Sequence, residues 1–249
     1  MRGKRGLVMG VANDKSIAWG IAKACHEAGA ELAFSYQGDA LLKRVQPLAA
    51  EVGSDLVLAC DVGDMASVDA LFDELGHRWG RLDFLVHAIG FSDKDQLRGR
   101  YVDTTRDNFL MTMDISVFSF TAVVKRAAPL MSDGGSCLTL TYYGAEKVMP
   151  HYNVMGVAKA ALESAVRYLA SDLGQDGIRV NAISPGPMKT LAGAAIGGAR
   201  ATFRHTEANA PLRANATLEA IGGTASKSTV RPKSATRHHR EAPSARPRA

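Results

Sequence analysis

The chain has 249 residues, 46% of them hydrophobic and 22% charged, and its 30 Lys and Arg against 25 Asp and Glu give a formal charge of +5. That is globular composition with material for one large α/β domain. No apolar run approaches the ~18 residues that span a bilayer, and the basic start leads into too short an apolar stretch for a secretory signal.

Apolar, β-branched runs alternate with longer helix-like stretches along most of the chain. Gly6-Leu-Val-Met-Gly10 predicts a buried strand and residues 16–28 a helix, closed by Gly29. Strands are then expected at 31–36, 55–60, 82–87, 136–141 and 178–183, with helices over 39–52, 67–79, 105–131 and 152–173. This alternation implies right-handed βαβ units and a doubly wound α/β fold: a Rossmann-like parallel sheet with helices on both faces. Ser184-Pro-Gly-Pro187 is a turn, and the Gly/Ala-rich stretch 191–198 suits a mobile or close-packed segment. Cys25, Cys60 and Cys137 are dispersed and odd in number, so no disulfide framework or metal site is readable, and a reducing, cytoplasmic setting is expected.

The charge is unevenly placed. Residues 226–249 hold seven basic groups and one acid, so the first 225 residues carry a net charge of −1. This last stretch has no Phe, Tyr or Trp, one large aliphatic residue (Val230) and three prolines, and is expected to be disordered. The predicted division is a dinucleotide-binding domain over 1–225 and a basic tail over 226–249. Without interleaved aromatics, the tail's charge suits loose contact with acidic partners. No membrane and no specific nucleic-acid partner is expected.

Open parallel sheets bind ligands where strand ends meet helix N-termini. The first such turn is Gly10-Val-Ala-Asn-Asp-Lys-Ser16-Ile17. Gly10 would let backbone approach a pyrophosphate, and the helix opening at Ser16 and Ile17 would offer N–H groups to it. A plain tight turn is the local alternative, since this is not a G-x-G-x-x-G match. At the end of the second strand Gln37 can bond a ribose hydroxyl but gives a 2′-phosphate no charge partner, which favours NADH over NADPH. Asp61, followed by Val62, could accept from adenine or simply cap a turn. Ile89-Gly90 would let the chain pass close to the cofactor.

A strand ending at Thr141 delivers Tyr142 to the sheet's carboxyl edge. Tyr152 opens the next helix, and Lys159 lies seven residues on, ~700° of rotation and ~10 Å of rise away, on the same face. A nearby ammonium would favour the phenolate and lower a tyrosine pKa of about 10. Such a tyrosine can exchange a proton in step with hydride transfer. Packing alone is the other local role for a Tyr at a helix start.

Together the first turn, Tyr142, Tyr152-x6-Lys159 and Asn181-Ala-Ile-Ser-Pro-Gly-Pro-Met-Lys-Thr190 resemble the short-chain dehydrogenase/reductase superfamily. Met155 stands where a Tyr-x3-Lys motif would need tyrosine, and the six-residue spacing resembles the bacterial NADH-dependent enoyl-acyl-carrier-protein reductase branch. Ser16-Ile-Ala-Trp-Gly20, Val86-His-Ala-Ile-Gly-Phe91 and Tyr152-Asn-Val-Met-Gly156 extend the likeness over residues 5–225. The resemblance implies hydride transfer from NADH to the β-carbon of a trans-2-enoyl thioester on acyl carrier protein, in fatty acid biosynthesis. It implies that Tyr152 donates to the enolate oxygen, Lys159 holds the nicotinamide ribose and Tyr142 borders the substrate. Ile89, Gly90, Ser92, Met188, Lys189, Thr190, Leu191 and Ala192 would contact nicotinamide or substrate, with 191–198 as the substrate loop. A homotetramer built on helices 105–131 and 152–173 is implied as well. No metal is implied.

The family pattern continues past Ala225 with the rest of a helix and a final strand. Neither is expected here, and a change of reading frame near residue 225 would explain the switch. The alternatives are a reductase-like nucleotide binder that has lost activity, or a ketoreductase, which Met155 disfavours.

Overall fold

A computed structural model describes residues 1–191, 193 and 199–229. Six strands, β1 (Arg5–Met9), β2 (Glu31–Tyr36), β3 (Val57–Ala59), β4 (Phe84–His87), β5 (Gly135–Leu140) and β6 (Ile178–Ile183), form the sheet among the described residues. They run in the order β3-β2-β1-β4-β5-β6, every pair parallel. A strand buried on both faces reads as a continuous apolar run, which is why Gly6 to Met9 was legible. Leu7 and Met9 face one core and Val8 the other.

The helices divide between the two faces. On one side α1 (Ile17–Glu27) and α2 (Gly38–Glu51) cover the sheet together with α8 (Leu218–Thr229). The other side carries α3 (Met65–Trp79), α5 (Ser119–Ala127) and α6 (Asn153–Leu173). Between them in sequence, α4 (Arg106–Met113) precedes α5, and α7 (Ala199–Asn209) precedes α8. None of the described helices is long and apolar enough to cross a membrane.

Two sequence expectations need correction. The single helix expected over 105–131 is α4 and α5 joined by a π-helical turn, Asp114–Phe118, and closed by a 3-10 turn, Ala128–Leu130. Such widened turns recur at functional sites because they re-aim one side chain. Here the fully buried Ser116 accepts from the Phe91 N–H at 3.0 Å and donates to its carbonyl at 3.1 Å, fixing the chain beyond β4.

The second correction lies at residue 225. α8 runs through Ser226, Lys227 and Ser228 to Thr229, inside the stretch expected to be disordered. Small residues allow it: a Cβ at Gly222 would stand 2.4 Å from the Gly20 carbonyl oxygen, so α8 lies directly on α1. Ile221, Ala225 and Thr229 are buried as a result. The remainder of the expected tail, 230–249, lies outside the described residues.

Candidate active site

With β2 and β4 on opposite sides of β1, the chain reverses direction across the sheet at β1, where a crevice forms at the strands' carboxyl ends. A cavity of about 810 Å³ lies there, bounded by the ends of β1, β4 and β5, the starts of α1 and α6, and the segment after β6.

The end of the cavity beside β1 is built from the first turn. Gly10 has φ +94°, and a Cβ there would stand 2.2 Å from the Ala88 carbonyl oxygen. The glycine is therefore demanded first by β1 meeting the chain after β4, a reason the sequence did not disclose. The Ser16 hydroxyl accepts from the Ala12 and Asn13 N–H groups, each at 3.0 Å, which folds the loop. It does not cap α1, so the first-turn amides of Ile17 and Ala18, both on the cavity wall, stay available with the positive end of the helix.

Beyond β4, Ile89, Gly90 and Ser92 line the same cavity. Ser92 donates to Asn108 Oδ1 at 3.2 Å and accepts from Thr112 at 2.9 Å, so it is tied to α4.

Tyr142, Tyr152 and Lys159 all reach the cavity. The two phenol rings meet edge to face, centroids 5.1 Å apart and planes at 70°, a favoured aromatic geometry. Tyr152 packs with Leu97, Val154, Met155 and Ala158 in a small apolar cluster of its own. The residues on either side of it, His151 (φ 60°) and Asn153 (φ 34°), have left-handed backbone, of the kind retained where surrounding structure over-determines it. The Asn153 amide nitrogen donates towards the carbonyls of Gln96, Arg98 and Gly99 at 3.3 to 3.4 Å.

The electrostatics correct the expected phenolate. Burial, and then the neighbouring Tyr142, push the Tyr152 phenol above its ordinary range. Lys159 does not counter this: it is 9% exposed, its ammonium donates to the Leu140 carbonyl at 2.8 Å, and burial lowers it to about 8 while Glu163 acts to raise it. Tyr152 is thus a neutral hydrogen-bond donor at physiological pH, and Lys159 is predominantly a cation at pH 7.

Other expected residues lie elsewhere. Gln37 and Asp61 are exposed at the ends of β2 and β3, outside the cavity wall, and Asp61 accepts from the Gly63 N–H at 2.9 Å, the turn role. Val62 is core. After β6, Met188, Thr190 and Leu191 line the cavity, but Lys189 points to the Phe203 ring, 5.6 Å from its centroid. Ala192 lies outside the described residues, as does most of 191–198. Phe203 and Thr202 of α7, Leu97 and Met111 also wall the cavity. They belong to no motif, and no signal in the sequence marks them.

A family model described as Enoyl-(Acyl carrier protein) reductase matches residues 10–226. The chain belongs to this enoyl reductase family. The NADH enoyl-acyl-carrier-protein reductase 1 of Rhizobium meliloti is 65% identical over 225 residues, 90% of this chain and 83% of that protein. A crystal structure of FabI from Candidatus Liberibacter asiaticus superposes with a TM-score of 0.90 at 55% identity, covering 92% of this chain and 88% of that one. The reductase of Anaplasma phagocytophilum, crystallised in complex with NAD, gives a TM-score of 0.89 at 56% identity over 92% of this chain and 87% of that one.

The enoyl reductase cavity fits a dinucleotide on its own chemistry. A helix N-terminus without a side-chain cap suits a pyrophosphate. An ammonium has three donors, and among the described residues Lys159 spends one, on Leu140, leaving two for ribose hydroxyls. No cluster of metal-ligating side chains occurs among the described residues.

Proposed function

We propose that this chain reduces the trans-2 double bond of an enoyl thioester carried on acyl carrier protein, a step of fatty acid biosynthesis, with NADH as the reductant. The observation that carries the assignment of residues is the convergence of Tyr142, Tyr152 and buried Lys159 on one cavity. Bound NADH supplies the hydride that adds to the substrate β-carbon. Ile17 and Ala18 amides would hold its pyrophosphate, Lys159 its nicotinamide ribose, and Gln37 its adenosine ribose, while Asp61, whose Oδ1 holds the turn, would offer its second oxygen to the adenine. Tyr152, kept protonated by burial, donates to the thioester oxygen as negative charge develops there, a donor placed in advance in a dry site. Tyr142 fixes the Tyr152 ring from the side and borders the acyl group, while the apolar wall of Phe91, Leu97, Met155 and Phe203 excludes water from it.

The protein works in the cytoplasm as a homotetramer. Exposed Leu110, Phe118, Val157 and Tyr168 on α4, the π-turn and α6 support an interface between copies. The test is NADH oxidation with a crotonyl or longer enoyl thioester, by wild type and Tyr152→Phe. Losing a donor of this kind lowers turnover by about 10² to 10³, with NADH binding retained. A soluble wild type that binds NADH without turning over would replace this function with that of an inactive nucleotide binder.

A further inference from the structure

Glu163 entered none of the motifs above, yet α6 uses it to hold the strand that delivers Tyr142. Two successive residues at the end of β5 are gripped by one helix. The Leu140 carbonyl accepts from Lys159 Nζ at 2.8 Å, and the Thr141 hydroxyl donates to Glu163 Oε1 at 2.7 Å. Lys159 and Glu163 are four residues apart on α6, so they share a face one turn apart. Thr141 is itself anchored, its N–H donating to the Ile183 carbonyl at 2.9 Å. A buried cation and a half-buried carboxylate therefore clamp the two residues preceding Tyr142.

We propose that Glu163 is a positioning residue of this site: tethered by Thr141 and one turn from Lys159 on α6, it sets the charge environment of the ammonium that faces the cofactor ribose and seats the turn that carries Tyr142. This rests on the assignment of Lys159 to the ribose. The groups facing Lys159 are Glu163 on its own helix, His87 from β4, and Tyr142 and Tyr152, which share its cavity, with the Ser116 hydroxyl near Gly90 adding a dipole. His87 is neutral and the phenols are protonated at pH 7, so Glu163 is the anion among them. Burial draws the ammonium down and Glu163 opposes it. Without the carboxylate the cation is lost at lower pH.

The experiment follows NADH affinity by fluorescence from neutral to alkaline pH, for wild type, Glu163→Gln, Thr141→Val and Thr141→Ser. Wild type should lose affinity as pH rises through about 8, where Lys159 discharges. In Glu163→Gln that loss should begin about one unit lower. Thr141→Val should move the same way by less, and Thr141→Ser, which keeps the hydroxyl, should return the wild-type profile. A role confined to stability would lower thermal midpoints and leave the profile in place. A Glu163→Gln profile superimposed on wild type overturns the proposal. If that variant does not fold, the Val and Ser pair decides: identical profiles overturn it, a shift in Val alone upholds it. Lys159→Met tests the underlying assignment separately, since wild-type NADH affinity in that variant would remove Lys159 from the ribose whatever Glu163 does.

Discussion

Gly144 lies close against the Tyr152 ring, in the 3-10 turn Tyr143–Ala145. A Cβ at Gly144 would stand 2.5 Å from Tyr152 Cδ1 and 2.7 Å from Cε1, and 3.4 Å from Tyr142 Cδ1. Carbon atoms rest about 3.5 to 4.0 Å apart, so in Gly144→Ala the ring must yield by about 1 Å. The turn has little room to retreat, because it already lies backbone to backbone against α6 at Gly156, where a Cβ would meet the Gly144 carbonyl oxygen at 2.9 Å. Gly144 is not among the glycines of positive φ, so the backbone itself tolerates alanine. Overpacking of this kind costs about 1 to 3 kcal/mol. The larger effect should be on rate, since a misplacement of about 1 Å in a reacting group lowers it about 100-fold. Steady-state kinetics with NADH and an enoyl thioester, beside thermal unfolding, should show kcat reduced to that extent and NADH affinity retained. Gly223→Ala serves as control, because a Cβ there meets nothing within 4 Å. Wild-type kcat and an unchanged thermal midpoint in Gly144→Ala would show that the ring's position is not set by this contact.

Three further outcomes follow from the geometry. Gly10→Ala combines a left-handed backbone with a 2.2 Å clash against the Ala88 carbonyl oxygen, and should cost about 2 kcal/mol or more by chemical denaturation. His87 is fully buried and accepts or donates at Ser119 Oγ over 2.9 Å, and burial, with the Lys159 charge, pushes its imidazole down to about 3. Its ordinary value is 6.5, so between the two the unfolded chain takes up the proton and the folded chain does not. Its stabilising contribution is complete above pH 6.5 and should fall by up to about 1.4 kcal/mol per pH unit as pH drops towards 3. Urea titrations of His87→Gln at graded pH should lack that one-proton slope. Phe203→Ala removes the Lys189 contact and part of the cavity wall. Losing an exposed cation–π pair costs about 0.5 to 1 kcal/mol, which chemical denaturation should show, and the lost apolar wall should raise KM for the enoyl substrate with kcat held.

What the sequence carried is what periodicity and local chemistry record. The run Leu7-Val8-Met9 is apolar throughout because a central parallel strand is covered on both faces, and its place beside the turn at Gly10 fixed the site to that edge of the sheet. Tyr152 and Lys159 could be assigned to one helix face because seven residues make almost two turns. Their shared cavity agrees with that arithmetic. The boundary at residue 225 shows the opposite case: composition suggested an end to order, but α8 continues to Thr229 because Gly222 lets it lie against Gly20. That contact joins residues about 200 positions apart, and no local window contains it.

The protonation of the site was likewise beyond local reading. A lysine seven residues from a tyrosine suggests phenolate, but the Leu140 carbonyl engages the ammonium and the apolar cluster around Leu97 and Val154 buries the phenol, so Tyr152 stays protonated. Burial is a property of everything packed around a group, and it outweighs the sequence neighbour. The sequence alone determined the doubly wound fold, and it marked out the strand-end crevice and the tyrosines and lysine that share its cavity. Tertiary structure decided their charge states, the π-turn that places Ser116 against Phe91, and the wall formed by Leu97, Met111 and Phe203. Those features depend on distances between elements remote in the chain, which residue order specifies only through the folded whole.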